Sequence, residues 1–518
     1  MQATQILRQA YLDAPDRPAT VFGDRVRTWR EVYDRVARLA GALKTLGVGA
    51  GDCIAAIGTN SDRYVEIFYA IPWAGAAFTP LNIRWAVAEN RFAMGDSKAR
   101  ILFVDDQFLD HGRALAEGND VTMIYMGEGA TPDGMLNYET LIEQSDPMPD
   151  ADRKGDDLYV VLYTSGTTSQ SKGVALSHRN AMTTSICFLA TLPQREDLTH
   201  VHVGGLFHLA GAGPCWYITL AAGTHVILPK FEAEPVLEAI HTHKATNIVM
   251  VPTMINMLLN HPRLKDYDLS SIRTCVYGGS PMPEAVLQNA FRELPTWGFH
   301  QIYGMTETTG YGVAFRASDH VEALANNPER LKAAGRVVPG LQIKVVRPDG
   351  ETAAIGETGE VLLRGDNVMT SYLHNPQATA ETLVDGWLRS GDAGYFDEAG
   401  YLYIADRIKD MIVTGGENVY SVDVERALYQ HAAVREAAVI GIPSERWGES
   451  VHAVVVLKDG KSATEEDLIA HCRGLIGGYK VPRSIEFRDE DLPVTPVGKI
   501  RKNVLRDPYW DGQSRKIS

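Results

Sequence analysis

Cysteine is scarce and scattered in this chain: five in 518 residues (Cys53, Cys187, Cys215, Cys275 and Cys472), odd in number and never spaced as CxxC. That excludes a disulfide framework and a zinc-binding cysteine set, fits a reducing compartment, and leaves each thiol as a small buried hydrophobe. Positive charge is in deficit as well. The formal net charge is −15, from 50 Lys and Arg against 65 Asp and Glu. Broad nucleic-acid binding is therefore not expected, because it needs a basic surface to displace counterions; a local basic funnel for a small anion stays compatible with the balance. Long apolar runs are missing too. The longest, GAGPCWYITLAAG from Gly211 to Gly223, is too short and glycine-rich to span a bilayer, so no transmembrane segment is expected. The N-terminal stretch MQATQILRQAYLDAPDRPAT lacks a basic segment followed by a long apolar one, which makes the cytoplasm the expected location.

What is present is an ordinary globular composition, 45% hydrophobic and 22% charged. The chain is longer than one core usually covers, so two or more domains are expected. TWREVYDRVARLAGALKTLG predicts an amphipathic helix with Val32, Val36, Leu39, Leu43 and Leu46 on one face. Short β-rich runs then alternate with longer helical ones: DCIAAIG, ARILFVDD, THVILP before EPVLEAIHTH, and TNIVMVP before TMINMLLNH. That alternation predicts parallel sheets built from βαβ units. From about Leu341 the texture changes to IKVVRPDG, GEVLLRG and GYFDEAGYLYIADR, which predict antiparallel strands joined by RPDG and DEAG turns. After Asp410 comes an α+β piece of about a hundred residues, with Thr464 as a helix N-cap and Asp467 three residues on. The fold class is α/β: a large N-terminal domain of βαβ-type sheets with a small β-barrel-like region, followed by a mobile α+β C-terminal domain.

One loop is rich in small donors. LYTSGTTSQSKGV (Leu162 to Val174) continues from the strand-like run LYVVLY and holds six serine and threonine side chains, two glycines and one lysine. A glycine-rich loop after a strand can form a nest of N–H groups around phosphate. Gly166 and Lys172 keep Walker spacing, but Ser171 and Gly173 break that pattern at two places, so a P-loop NTPase is disfavoured. Taken alone, the loop reads equally well as a surface segment whose hydroxyls bond their own backbone.

Distant partners separate the two readings. QIYGMTETTG (Gln301 to Gly310), the run from Trp387 to Glu425 with Asp392, Arg407, Lys409 and GGEN, and LPVTPVGKIRK (Leu492 to Lys502) with Lys499 all follow in order. Together with the hydroxyl loop and YGGSP they resemble the AMP-forming acyl-CoA synthetases of the adenylate-forming superfamily, over nearly the whole chain. GGENVYSVDVE and PSERWGE are similar to the acyl-CoA ligase branch. The resemblance implies an ATP-dependent carboxylic acid:CoA ligase that makes acyl-AMP and then the thioester, releasing AMP and pyrophosphate. It implies ATP, Mg²⁺ and CoA, and an N-terminal adenylation domain over 1–405, a hinge at 406–409 and a C-terminal domain over 410–518. A homodimer is admitted but not specified.

The same resemblance assigns the residues. Thr164, Ser165, Gly166, Thr167, Thr168 and Lys172 would cover the β- and γ-phosphates. Glu307, with Thr164, would face Mg²⁺, since a hard cation takes oxygen donors. Thr306 would meet the α-phosphate, and Tyr303 would stack on adenine beside Gln301, Gly304 and Met305. Gly279, Ser280 and Pro281 would form the adenine wall. Asp392 and Arg407 would hold the ribose hydroxyls, with Lys409 nearby. Lys499 would bridge the attacking carboxylate and the α-phosphate, and Gly415 and Gly416 would line the pantetheine path after the C-terminal domain turns. Departures from the family's pattern are Ser169, Ser171 and Gly205.

His208 in GLFHLAGAGPCW is similar to the gate beside the family's acyl site, and Ala210, Gly211, Ala212 and Gly213 leave volume for a sizeable acid. Tyr277, Met305 and Thr309 to Tyr311 are expected as the far wall. No cation stands out in these segments, which favours a fatty or aryl monocarboxylic acid over a dicarboxylate. The same-fold alternative hands acyl-AMP to an amine or a carrier protein.

Overall fold

The computed structural model describes residues 1–164, 171–192, 197–280, 282–415, 417–444, 446–494 and 500–510. Local signals place its elements. Thr28 opens helix Trp29–Thr45 with a capping box: its hydroxyl accepts from Glu31 N, and the Glu31 carboxylate accepts from Thr28 N. Val32, Val36, Leu39 and Leu43 are buried as expected. Leu46 lies past the last turn and is 38% exposed, so it does not belong to the buried face.

Two sheets carry the N-terminal part. The first has nine strands in the order Arg336–Val337, Val313–Phe315, Gly298–Tyr303, Thr274–Gly278, Asn247–Met250, Thr199–His202, Thr224–Ile227, Pro18–Phe22 and Arg25–Thr28. The second has eight: Ser371–Tyr372, Lys172–Ser177, Leu158–Thr164, Ala77–Pro80, Cys53–Ile57, Ile101–Val104, Thr122–Tyr125 and Leu136–Asn137. Parallel βαβ pairing holds at the centres. At the edges it gives way to antiparallel pairs: three follow connections too short for a crossover helix, and the fourth adds the distant strand Ser371–Tyr372 beside Lys172–Ser177. Helices Asp62–Trp73, His178–Thr191 and Leu209–Leu220 contribute to one continuous core with both sheets, through Phe68, Phe188 and Trp216 among others.

A buried ionic cluster ties the edge strand Arg25–Thr28 to helix Asp62–Trp73. Arg25 Nε and Nη2 each donate to the Asp62 carboxylate at 2.7 Å, and Arg27 donates to the same carboxylate. Arg35 Nε donates to Glu66 at 2.7 Å and Arg63 Nε to Glu139 at 2.8 Å. Asp62 and Glu66 are both 0% exposed. Burial alone would raise the Glu139 carboxyl, but the Arg35 and Arg63 guanidiniums overcome it and draw it down to about 2.

The β-rich region is a five-stranded antiparallel sheet of Leu341–Val346, Gly359–Gly365, Trp387–Phe396, Leu383–Val384 and Leu402–Arg407. The C-terminal sheet orders Glu417–Val419, Ile412–Thr414, Gly448–Leu457 and Val434–Ser444, with Ser484–Arg488 added in parallel beside Gly448–Leu457. Helices Ser421–Tyr429 and Glu465–Arg473 cover it through Val424, Leu428 and Leu468. Thr464 caps the second helix as expected, accepting from Asp467 N at 3.2 Å. Among the described residues, no helix is long and apolar enough to cross a membrane.

Candidate active site

The adjacent parallel strands Thr274–Gly278 and Gly298–Tyr303 end side by side, and the carboxyl ends of strands are the usual place for a ligand cleft in sheets of this type. The loop after Tyr303 is tightly closed. A Cβ on Gly304 would stand 2.6 Å from the Gly310 carbonyl carbon, so only glycine lets its two arms meet. Thr309 adopts φ +51°, a strained left-handed conformation for a β-branched residue. Asn367 over-determines it: Thr309 Oγ1 donates to Asn367 O at 2.6 Å, while Asn367 Nδ2 donates to the carbonyls of Thr308 and Tyr311 at 2.9 and 2.5 Å. The loop thereby presents Met305, Thr306 and Glu307, all half-buried, from a rigid frame.

Asp392 anchors one corner. Its carboxylate accepts from Tyr303 Oη at 2.7 Å and pairs with Arg407 Nε at 2.9 Å. Strand register makes this pairing unavoidable, since Asp392 and Arg407 are opposite one another in the antiparallel ladder. Asp392 raises the affinity of the Arg407 guanidinium for its proton. Burial and the charge of Arg407 push Lys409 down to about 8. Sequence positions 89 residues apart thus form one cluster.

Glu307 lies on the other side. Met369 N donates to its backbone carbonyl at 2.8 Å, and Tyr372 Oη donates to its carboxylate at 2.7 Å. The Lys172 ammonium sits 4.7 Å from the Tyr372 ring centroid. Lys172 therefore opens a strand, antiparallel to Leu158–Thr164 with Thr164 opposite it, where a Walker lysine would open a helix. Gly278 and Gly279 continue the strand Thr274–Gly278. A Cβ on Gly278 would meet Ile302 O at 2.6 Å, and Gly279 has φ +81° before the half-buried Ser280.

Gln301 departs from its expected place: its amide is engaged within the fold, accepting from Tyr277 Oη at 3.1 Å and donating to Ala333 O at 3.3 Å. Tyr277 is 0% exposed, with its hydroxyl also 2.8 Å from His320 Nε2, so it belongs to the core behind the cleft and offers no wall to an acid. Residues Ser165, Gly166, Thr167, Thr168, Ser169, Pro281, Gly416 and Lys499 lie outside the described residues.

His208 precedes helix Leu209–Leu220, with Nε2 3.3 Å from Asn82 Nδ2. Burial, with a contribution from nearby Arg84, pushes it down to about 4, so it is neutral at pH 7. Leu209 approaches the loop arm at Gly310, 3.5 Å from where a Cβ there would stand, which brings the His208 turn against Thr309–Tyr311. A Cβ on Gly213 would meet nothing within 4 Å. Tyr311 stacks on Phe188 at 4.0 Å and Phe188 on Tyr217 at 5.0 Å, and all three rings are buried in the core, so Tyr311, expected in the far wall, packs inward behind it. Gly205 makes room for the Phe207 ring, which a Cβ would overlap at 2.4 Å.

Between the β-rich sheet and the C-terminal sheet, Asp406 accepts from Ser421 N and Oγ at 2.5 Å, and Lys502 Nζ donates to Ser421 Oγ at 2.5 Å and to Glu425 at 2.7 Å. Gly415 has φ +63° and lies against the Trp447 indole, which carries the guanidiniums of Arg446 and Arg483 at 4.6 and 4.9 Å. Asn367, Tyr372 and Trp447 were not singled out from sequence; an uncharged residue in a loop-flanking segment carries no periodic or charge signal.

A cavity of about 360 Å³ lined by Arg273, Phe291, Trp297 and Phe299 sits at the opposite, amino-terminal ends of the same strands, away from these groups.

Comparison with known proteins agrees with this arrangement. The family model of AMP-binding enzymes matches residues 7–373, and that of the AMP-binding enzyme C-terminal domain matches 423–499. A feruloyl-CoA synthase of Amycolatopsis sp. is 38% identical over 95% of this chain and 96% of its own. A fatty acid–[acyl-carrier-protein] ligase, ScoC of Streptomyces coeruleorubidus, is 36% identical over 97% of this chain and 96% of its own. Among solved structures, the amide bond synthetase McbA of Marinactinospora thermotolerans superposes with a TM-score of 0.88 at 30% identity, covering 98% of this chain and 100% of that one. The chain belongs to the AMP-forming acyl-CoA synthetases of the adenylate-forming superfamily, enzymes that use ATP to join a carboxylic acid to CoA through an acyl-adenylate.

Proposed function

We propose that the acid this ligase activates is a monocarboxylate with an aromatic or fatty body. The observation that carries this reading is the open space beside Gly213 on helix Leu209–Leu220, whose first turn carries the small apolar residues Ala210, Gly211 and Ala212. Rings and methylenes gain from such a lining, whereas a second carboxylate would need a paired cation. The relatives named for feruloyl and fatty acyl substrates lend it support. His208, neutral at pH 7, suits a polar gate that does not neutralise the reacting carboxylate.

In the first half-reaction, a carboxylate oxygen bonds to the α-phosphorus of ATP and the bond to the pyrophosphate oxygen breaks. Two anions must meet, so cations and N–H donors set the rate. Lys172 and Thr164 hold the β- and γ-phosphates with the Ser165–Thr168 run. Thr306 holds the α-phosphate, and Lys499 lies between it and the acid. Tyr303, Met305, Gly279, Ser280 and Pro281 frame adenine; Asp392 and Arg407 hold ribose. Glu307 and the Thr164 hydroxyl are hard oxygen donors that fit Mg²⁺. When bound, Mg²⁺ supplies charge neutralisation at the phosphates.

In the second half-reaction the CoA sulfur bonds to the acyl carbon and AMP leaves. Rotation of residues 410–518 about 406–409 withdraws Lys499 and brings Gly415 and Gly416 to the thiol's path. Arg446 and Arg483 on the Trp447 indole beside Gly415 form a cationic platform suited to the phosphates of CoA. The cytoplasm and a homodimer complete the reading.

A screen of acids for pyrophosphate release, with and without CoA, tests it. Aryl or fatty monocarboxylates are expected to give acyl-CoA only when CoA is present. Preference for a dicarboxylate would overturn the acid class and point to Arg84. Turnover with an amine or carrier protein and no CoA would establish the other acceptor.

A further inference from the structure

Lys172 and Glu307 carry opposite charges into the same cleft. Left in contact, they would neutralise each other, and a metal–nucleotide complex would have to separate them before binding. Tyr372 stands between them. Its hydroxyl donates to the Glu307 carboxylate at 2.7 Å, and its ring face receives the Lys172 ammonium 4.7 Å from the centroid. The side chain is 6% exposed and held from several directions. Strand Ser371–Tyr372 pairs antiparallel with Lys172–Ser177, Leu373 N donates to Gly173 O at 2.7 Å, and Tyr372 N donates to Thr379 Oγ1 at 3.0 Å. Burial, reinforced by Glu307, raises the phenol well above its ordinary value, so it remains a neutral donor. Three residues earlier, Met369 N fixes the Glu307 backbone.

We infer that Tyr372 is a positioning residue that keeps the phosphate-facing lysine and the metal-facing carboxylate apart and separately aimed. The inference rests on the proposed roles of Lys172 and Glu307. It predicts that the loss of the phenol is felt where magnesium and triphosphate enter, and not in thioester formation from acyl-AMP.

The test is calorimetric binding of ATP to the full chain without acid, over a Mg²⁺ series and in metal-free buffer. Parallel assays follow thioester formation from supplied acyl-AMP. Tyr372→Phe keeps the ring and loses the hydroxyl; MgATP affinity is expected to fall about tenfold with metal-free ATP affinity retained. Tyr372→Leu loses both contacts and is expected to weaken ATP in either buffer. Thioester formation and melting temperature should stay near the parent values for Tyr372→Phe. Unchanged MgATP binding in both variants would overturn the inference, as would a parallel fall in both half-reactions and in melting temperature. Glu307→Gln separates the two layers. If it leaves the Mg²⁺ dependence of ATP binding intact, the proposed role of Glu307 fails. If it abolishes that dependence while Tyr372→Phe does not alter it, only the inference about Tyr372 fails.

Discussion

Two charged regions of this protein differ in whether every opposite charge is paired directly. Around helix Asp62–Trp73, arginines meet carboxylates directly, and Asp62 and Glu66 vanish from solvent. In the cleft, a neutral tyrosine stands between Lys172 and Glu307, and a second, Tyr303, shares Asp392 with Arg407. The first region satisfies charge within the fold and leaves nothing to offer a ligand. The second keeps charges oriented with polar capacity directed at the cleft. A cluster of ionisable residues is therefore not a site by virtue of its charge; what matters is whether the protein has already used it.

The contrast can be broken most strongly on the structural side. Glu66→Ala leaves the buried Tyr138 hydroxyl without its acceptor and takes from Arg35 one of its two carboxylate partners, leaving only Glu139. A loss of about 3–5 kcal/mol in urea unfolding is expected, with activity per folded molecule kept. Retained stability would show that the pair is not uncompensated when broken. On the functional side, Lys499→Ala should lower acyl-AMP formation about a hundred- to a thousandfold and spare thioester formation from supplied acyl-AMP. Equal loss of both halves would contradict alternation about 406–409.

Asp392→Ala should weaken ATP binding by about 1.5–3 kcal/mol, the usual worth of hydrogen bonds to a charged group. Titration calorimetry reads it, and an unchanged affinity would remove Asp392 from the ribose corner. Acid sharpens the comparison with a third buried group. His200, His202 and His225 lie together in the nine-stranded sheet, with His202 Nε2 2.8 Å from His225 Nδ1. Burial pushes His200 down to about 4 and His225 to about 3. The unfolded chain binds protons that the folded one refuses, so stability should fall as pH drops from about 6.5 toward 4, by at most about 1.4 kcal/mol per pH unit for each histidine. His202→Gln should flatten that slope in unfolding midpoints taken between pH 7.5 and 5. Smallest of all, Tyr303→Phe should cost about 1 kcal/mol in ATP binding, because Asp392 keeps Arg407.

Much of the fold was legible because burial imposes a period. Val32, Val36, Leu39 and Leu43 mark a helix face, and CIAAI or NIVM, buried on both sides, mark central parallel strands. Leu46 failed because the helix had ended. Of the candidate site, Glu307 stands in a glycine-bounded loop and Asp392 and Arg407 face each other on adjacent strands; their charge within a motif is what drew attention to them in the sequence. Gln301 was placed in the cleft but its amide points to Tyr277 and Ala333, because strand alternation and neighbouring partners decide the direction of a side chain. Asn367 and Tyr372 carry no local signal; their importance lies in partners 56 to 65 residues away.

Sequence alone determined the kind of elements, the family and the chemical inventory of the cleft, since each of these is written in local spacing and residue type. Tertiary structure alone decided which charges cancel and which remain available. That outcome depends on distances of a few ångströms between segments far apart in the chain, and no local pattern encodes it.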